Sequence, residues 1–424
     1  MTNILTKKNI TSLLCFLVPV LLVFSLPKLI GFKHTGWDTH DLAFTNFVYF
    51  SDALTSGHVP LWNPFIQSGT FFPSLNNIGL FSPFELPFAL IARVLPPLTV
   101  FEWLIQFIVL LGGIGAYTFF RCENLEHDLA CLGAVLYACT TLEVNVGQLG
   151  FVFSFAALAW MLATAHAVVS DKGSRLVWPI FGIILGFAFS CGYPWMNFVN
   201  VGIFSSYAVF IYCLARPRAD IKKTIARFAL FLLPLLATYL ILIAPGYLNL
   251  HFNYAHFFGD YINPEPRLRA LGAQAEHFQY QNLWQSLGTL ISPITLGTPP
   301  GWTMGAGWIP FLLLINAVFE RRKPRASYFY WTALLIIGIL YANGIRPMPH
   351  LARIVPLFNA NRWWVLGLDY SVVALIVLAL LQTQDSFNQS SLKAVGKAKI
   401  YSLLFAAALI IFLGLLQTEW VIFA

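Results

Sequence analysis

Long apolar runs alternate with shorter polar ones along the whole chain. A helix that crosses hydrocarbon needs about 20 mostly apolar residues, because each backbone amide must be bonded inside the segment. On that measure the runs predict helices near 10–30, 100–120, 129–146, 151–169, 176–193, 196–215, 228–250, 308–319, 327–343, 364–381 and 400–420. The expected fold is an all-α polytopic membrane protein of about eleven transmembrane helices, a single transmembrane domain over 1–424. The run at 308–319 is short. The two runs flanking Glu143–Gly150 lie so close together that one or both read as broken or re-entrant.

Composition agrees with the pattern. The 424 residues are 58% hydrophobic and 10% charged, with mean hydropathy +0.71. A soluble protein carries roughly 25% charged residues, so most of this surface faces lipid. Disorder, a fibrous repeat and a disulfide-stapled secreted module are excluded on the same ground. The net charge of +7 is a topology signal. Most of the 25 Lys and Arg residues fall in six short segments: Lys7 and Lys8; Arg121; Lys172 and Arg175; Arg216 to Arg227; Arg321 to Arg325; and Lys393 to Lys399. These alternate with the other connections, as cytoplasmic loops do under the positive-inside rule, so nucleic acid is not an expected partner. The first run follows Lys7 and Lys8, contains Pro19 and Pro27 and has no small-residue cleavage pattern, which predicts a retained anchor with a cytoplasmic N-terminus. The six cysteines lie in or beside apolar runs, where packing is their expected role.

That orientation puts three large connections on the exoplasmic face: 31–98, 251–307 and 344–363. The first holds Asp38 and Asp41 shortly after the first run, with His40 between them. Two carboxylates three residues apart share a helix face. Near a low-dielectric boundary such a group suits proton abstraction or metal binding. The alternative is that Asp38 caps the next segment and Asp41 faces water. His34, Asp52 and His58 read as solvated loop residues, Gly57–Pro64 as rigid turn material, and Ile78–Leu95, broken by Pro83 and Pro87, as juxtamembrane helix lying along the bilayer.

The connection 251–307 carries scattered charges and three histidines without helical zinc spacing. The connection 344–363 places Arg346, Arg353 and Arg362 outside, against the positive-inside trend. Arginine pairs with phosphate through two parallel charge-assisted hydrogen bonds; the alternative is snorkelling to ordinary headgroups. Asp369, just inside the next run, is costly in hydrocarbon and predicts a paired or functional group, with one of these arginines as partner. Glu102 and Glu143, at outer helix ends, are supporting candidates for the same site.

The run GWDTHD, then GHVPLWNPF, Gly69 and FSPFELPF, resembles the first exoplasmic loop of the bacterial YfhO family, polytopic proteins of the GT-C glycosyltransferase class. CGYPW, NLWQSLGTLISP and IVPLFNANRWW fit the same order, so the likeness spans about residues 10 to 380. Two departures stand beside it: Trp363 and Trp364 follow Arg362 where the family often has a second arginine, and no large exoplasmic region follows the last run. The resemblance implies a GT-C-like fold in a bacterial inner (plasma) membrane, with the site on the periplasmic or exterior face. It implies an inverting transferase that takes a sugar from a polyprenyl-phosphate donor to an exoplasmic glycan, polymer or lipid acceptor. Asp38 would be the base, with Asp41 helping and His40 in support. Arg362, with Arg346 and Arg353 in reserve, would hold the donor phosphate, where a divalent metal (Mg or Mn) is a candidate cofactor. Two other readings stand beside it: a transporter or flippase for a lipid-linked glycan, using the same charged cavity without bond chemistry, and a non-catalytic membrane assembly subunit. The former would need charges through mid-membrane, where the sequence offers little beyond Asp369.

Overall fold

A computed structural model describes residues 11–14, 17–18, 35, 39–58, 60, 62–63, 70–71, 82–170, 176–215, 220–257, 310, 326–343 and 367–389. These residues are helical apart from turns and one antiparallel pairing of two short strands, β1 (Trp62–Asn63) and β2 (Thr70–Phe71). Ten α-helices follow in chain order among them. They are α1 (Thr45–Thr55), α2 (Leu86–Ile91), α3 (Pro97–Cys122), α4 (His127–Tyr137), α5 (Leu149–Ser170), α6 (Val177–Cys191), α7 (Pro194–Ala215), α8 (Ile221–Phe257), α9 (Ala326–Ala342) and α10 (Gly367–Gln389).

Among the described residues, α3, α5, α7, α8 and α10 contain stretches long and apolar enough to cross a membrane. Three shorter apolar stretches accompany them: His127–Leu142, α6 and α9. The chain is therefore a polytopic α-helical membrane protein. Eight of the eleven expected runs carry helices. The run at 400–420 lies outside the described residues, as do 308–319 apart from Pro310 and most of 10–30, of which 11–14 and 17–18 are helical. The expected break around Glu143–Gly150 is present. Here α4 widens into a π-helix over Ala138–Leu142 and tightens into a 3-10 turn over Glu143–Asn145 before α5 begins.

One boundary departs widely from expectation. The run at 228–250 belongs to a helix of 37 residues, Ile221–Phe257. Its start is set by Asp220, whose Oδ1 accepts the backbone N–H groups of Lys222 (3.0 Å) and Lys223 (3.3 Å), as an N-cap does. Lys222, Lys223 and Arg227 therefore sit on the first turns of a helix, not in a loop. Its far end continues into the connection expected to start at 251. Internal hydrogen bonding propagates a helix without requiring apolar side chains, so hydropathy marks the bilayer and not the helix end.

The chain divides into two compact units. The first takes Ser25–Gly115 and Asn145–Gln274 with Met1–Asn3. At its centre runs α5, whose apolar stretch is 89% buried, while that of α8 is 11% buried and faces outward. A helix apolar all round is a core helix only where neighbours cover it, and α6, α7 and α8 pack on α5. Arg227, on α8, donates to the Val168 carbonyl (3.0 Å) near the end of α5, satisfying an acceptor that the helix leaves open. The second unit takes Ile4–Phe24, Ala116–Val144 and Ala275–Ala424. There α10 is the buried helix, packed against α9 and α4.

Lipid tails are as apolar as leucine, so helices in a membrane associate by close packing more than by the hydrophobic effect. Small residues at the contacts show this. In the first unit, a methyl group at Gly182 would strike the Phe231 carbonyl of α8, and one at Gly186 would meet Thr238 Cβ at 2.7 Å and the Leu235 carbonyl at 2.8 Å. In the second unit, Gly338 faces the Gly367 carbonyl and Ser371, and Ser371 Oγ donates across to the Leu335 carbonyl at 3.1 Å. Cys131, Cys139 and Cys191 are buried free thiols, in line with a packing role.

Substituting Gly182→Leu is expected to force α6 and α8 apart, at a cost of about 1–3 kcal/mol for overpacking. Gly202→Ala, where nothing lies within 4 Å of the added carbon, is expected to leave stability unchanged or slightly raised. Thermal unfolding of the two variants in the same detergent checks the contrast; equal melting points would contradict the close approach.

Candidate functional site

The first unit gathers its polar groups where the N-terminal ends of α3 and α5 meet the start of the first long connection. Pro96 and Pro97 begin α3, with proline tolerated in a first turn whose amides have no helical partner. Glu102 follows within two turns and is 1% exposed. Its carboxylate accepts both the backbone N–H of Thr35 (2.6 Å) and the Thr35 hydroxyl (2.7 Å). A buried carboxylate is tolerable only with such partners. Here both partners belong to Thr35, the residue that leads into GWDTHD, so Glu102 works as a clamp on the entry to that stretch.

A second tie comes from Thr39. Its N–H donates to the Gly147 carbonyl (3.0 Å), and its Oγ1 accepts the N–H of Leu149 (2.8 Å). Leu149 is the first residue of α5, and its amide is one of those that a helix start leaves open. A residue 110 positions earlier in the chain thus caps the central helix. Thr39 also opens a π-helix, Thr39–Phe44, which leads into α1. The wide turn leaves Asp41 on the outside, with its side chain 81% exposed and 3.2 Å from His40 Nδ1. The His40 ring stacks on Phe44, which packs against Phe101 of α3.

Further along, α1 ends on Gly57 at φ +72°, the left-handed conformation that glycine adopts freely at helix ends. Asn63 of β1 donates to Asn46 of α1 (3.0 Å), both buried. Ser51 of α1 donates to the Ala89 carbonyl of α2 (2.6 Å). Leu90, Ile91, Val94 and Leu95 stay exposed, the apolar edge expected of a segment that lies along a bilayer. Asp52 and His58 are exposed, as expected, but Asp52 stands on α1 and not in a loop.

The other candidates fall as follows. Asp38 and His34, with Arg346, Arg353 and Arg362, lie outside the described residues. Glu143 begins the 3-10 turn of the second unit and is buried. Asp369, in the first turn of α10 in that unit, is 2% exposed and within electrostatic reach of the buried Tyr137 and Tyr370. Among the described residues no three His, Cys, Asp or Glu side chains come together to hold a metal.

Sequence reasoning passed over several groups. Thr35, just before GWDTHD, and Thr39, within it, carry no distinctive chemistry by type, and only their partners give them a role. Gln106, one turn beyond Glu102, is buried with neither amide atom bonded among the described residues, a rare condition in folded proteins. CGYPW is a docking turn: Ser154 of α5 accepts the Tyr193 N–H (3.0 Å) and donates to Asn197 (2.9 Å), whose amide donates to the Phe189 carbonyl (2.7 Å). In the second unit His127 joins Tyr117 (2.9 Å) and Ser12 (2.8 Å). The i, i+3/i+4 signals that flag helix faces do not report such long-range pairs.

No family model matches the chain, and neither the curated proteins nor the solved structures give a match.

Replacing Glu102 by Ala removes the acceptor of two buried donors. Hydrogen bonds to charged groups contribute about 1.5–3 kcal/mol each, so a fall in melting temperature is expected together with faster amide hydrogen exchange at Thr35. Thr39→Val keeps the backbone tie to Gly147 and loses the cap on α5, with an expected cost of about 1 kcal/mol. Unchanged exchange at Thr35 in the first variant would contradict the clamp.

Proposed function

We propose that the protein is an inverting glycosyltransferase that moves a sugar from a polyprenyl-phosphate donor to an exoplasmic glycan, polymer or lipid acceptor. The single observation that supports this reading is the double anchoring around Asp38. Thr35, three residues before it, is held by Glu102, and Thr39, immediately after it, is held by Gly147 and Leu149. A general base must keep its position to within fractions of an ångström of the proton it removes. Loops are ordinarily the most mobile parts of a fold, and tethers on both sides of one residue fit a loop that carries chemistry. The resemblance of the motif order to the YfhO family is in keeping with the same reading.

In this proposal Asp38 takes the proton of an acceptor hydroxyl, whose oxygen attacks C1 of the donor sugar from the side opposite the phosphate. The bond from C1 to the phosphate oxygen breaks, configuration inverts, and polyprenyl phosphate leaves with the electron pair. The negative charge that develops on it calls for a cation. Arg362 fills that role, with Arg346 and Arg353 as further candidates, and charge stabilisation of this kind is commonly the largest catalytic contribution. Because the donor arrives within the membrane plane, no nucleotide-sugar domain is required. Exposed Asp41 is assigned a helping role, tuning the charge beside His40.

Purified protein supplied with a polyprenyl-phosphate sugar tests the reading. Asp38→Asn is expected to lower transfer by about 100-fold or more, the usual weight of a general base, with an unchanged melting temperature. Asp41→Asn is expected to cost far less. Full transfer by Asp38→Asn would reject the assignment. Movement of the intact lipid-linked sugar across vesicles without donor cleavage would establish a flippase instead.

A further inference from the structure

Three stretches distant in sequence meet at the start of α5. Thr39 caps the Leu149 amide through its hydroxyl (2.8 Å) and donates its own N–H to the Gly147 carbonyl (3.0 Å). Close by, the Gly150 carbonyl accepts the N–H of Tyr193 (3.1 Å), which is shared with Ser154 Oγ (3.0 Å). The turn between α6 and α7 is thereby docked on the same helix end as the stretch GWDTHD. All these contacts lie within the first unit. The docking is close: a methyl group on Gly192 would meet Ser154 Oγ at 2.6 Å and Asn197 Oδ1 at 2.7 Å. Main-chain bonds thus fix the place of Tyr193, whatever its side chain does.

The Tyr193 ring meets that of Phe151 edge to face, with centroids 5.2 Å apart. Phe151 is buried and Tyr193 half-buried. Tyrosines at the ends of membrane helices commonly anchor the lipid-facing perimeter in the headgroup layer. Tyr193 packs instead on α5, the central helix of the unit, whose apolar stretch is 89% buried. The exposed apolar residues of α6 include Ile180, Ile183 and Ile184, whereas Phe189, Ser190 and Cys191, which lead into the turn, are buried. Through the bonds named above, the Cα atoms of Thr39 and Tyr193 are at most about 16 Å apart. Asp38 is the residue before Thr39.

We propose, on the basis of the transferase reading, that Tyr193 is a carbohydrate-contact residue whose ring packs against the sugar of the lipid-linked donor. The donor is the ligand chosen because it carries a sugar whatever the acceptor is. A pyranose has a patch of C–H bonds on one face and hydroxyls around its rim. A flat aromatic side chain covers the first without demanding hydrogen bonds, and carboxamides and carboxylates serve the second. The start of α5 offers both kinds of group. Tyr193 supplies the aromatic face, and Gln148, half-buried in the turn that holds Thr39, supplies a carboxamide. The tyrosine hydroxyl takes no part in such a contact, which separates it from a role in proton transfer.

The ties to Gly150 and Ser154 use the main-chain N–H, so a substitution at Tyr193 leaves the docking in place. Tyr193→Phe keeps the ring face, whereas Tyr193→Leu keeps an apolar contact for Phe151 and removes it. Polyprenyl phosphates bearing glucose, galactose, mannose or arabinose serve as donors. Tyr193→Leu is expected to raise the donor KM by about 3- to 10-fold, the weight of one aromatic contact, with kcat changed by less than about two-fold. Tyr193→Phe is expected to match the wild type. In the wild-type chain, nitration of Tyr193 by tetranitromethane, mapped by mass spectrometry, is expected to be lost under saturating donor and retained with bare polyprenyl phosphate. An unchanged donor KM in Tyr193→Leu, an equal rise in Tyr193→Phe, a rise confined to the acceptor KM, or nitration indifferent to the donor would each overturn the assignment while sugar transfer stands. A wild type that transfers sugar from none of these donors sinks the transferase reading as well.

Discussion

A backbone amide in hydrocarbon has no water to fall back on, and the described structure is organised by that constraint. Helices satisfy their interiors automatically; their ends do not. Several helix ends in the first unit are completed by side chains. Thr39 supplies the oxygen for Leu149, Ser154 the oxygen for Tyr193, Asp220 the oxygen for Lys222 and Lys223, and Arg227 the donor for Val168. Two of these completions are long-range contacts that fix a loop in place as a by-product. The candidate site is thus built from the same bonds that make α5 admissible in a membrane.

The packing of the helices obeys a related economy. Where α6 meets α8, and where α9 meets α10, glycine allows backbones to approach until carbonyls and hydroxyls sit against each other. Polar residues then join the contacts, as Ser371 does with Leu335. Between α3, α5 and α6, where Phe153 and Trp160 stand among alanines, a cavity remains.

Much of the fold was legible in the sequence because the hydrocarbon core imposes one simple requirement, a long apolar run. The break at Glu143–Gly150 was visible for the same reason, since it interrupts that requirement. Helix ends were less legible. Asp220 starts α8 well before the apolar run does, and the helix continues past the run to Phe257, because capping and propagation do not depend on hydropathy. At the candidate site the acidic residues stood out by type. Glu102 was correctly expected at a helix end, but as a supporting charge in a catalytic cluster; its partner Thr35, 67 positions away, could not be read from local spacing. Thr39 was invisible for the same reason. A threonine has no distinctive chemistry until the fold brings it an unpaired amide.

The length of α8 has a mechanical consequence. At 37 residues it is about 55 Å long, nearly twice the roughly 30 Å of bilayer hydrocarbon. Even a tilt of about 40°, the upper end of the common range, would use only about 39 Å of it inside that layer. The remainder, which follows the apolar portion ending at Ala244, extends beyond the hydrocarbon layer. The helix thus leaves the hydrocarbon layer before it ends at Phe257, and its last turns exchange lipid for headgroups and water as their surroundings.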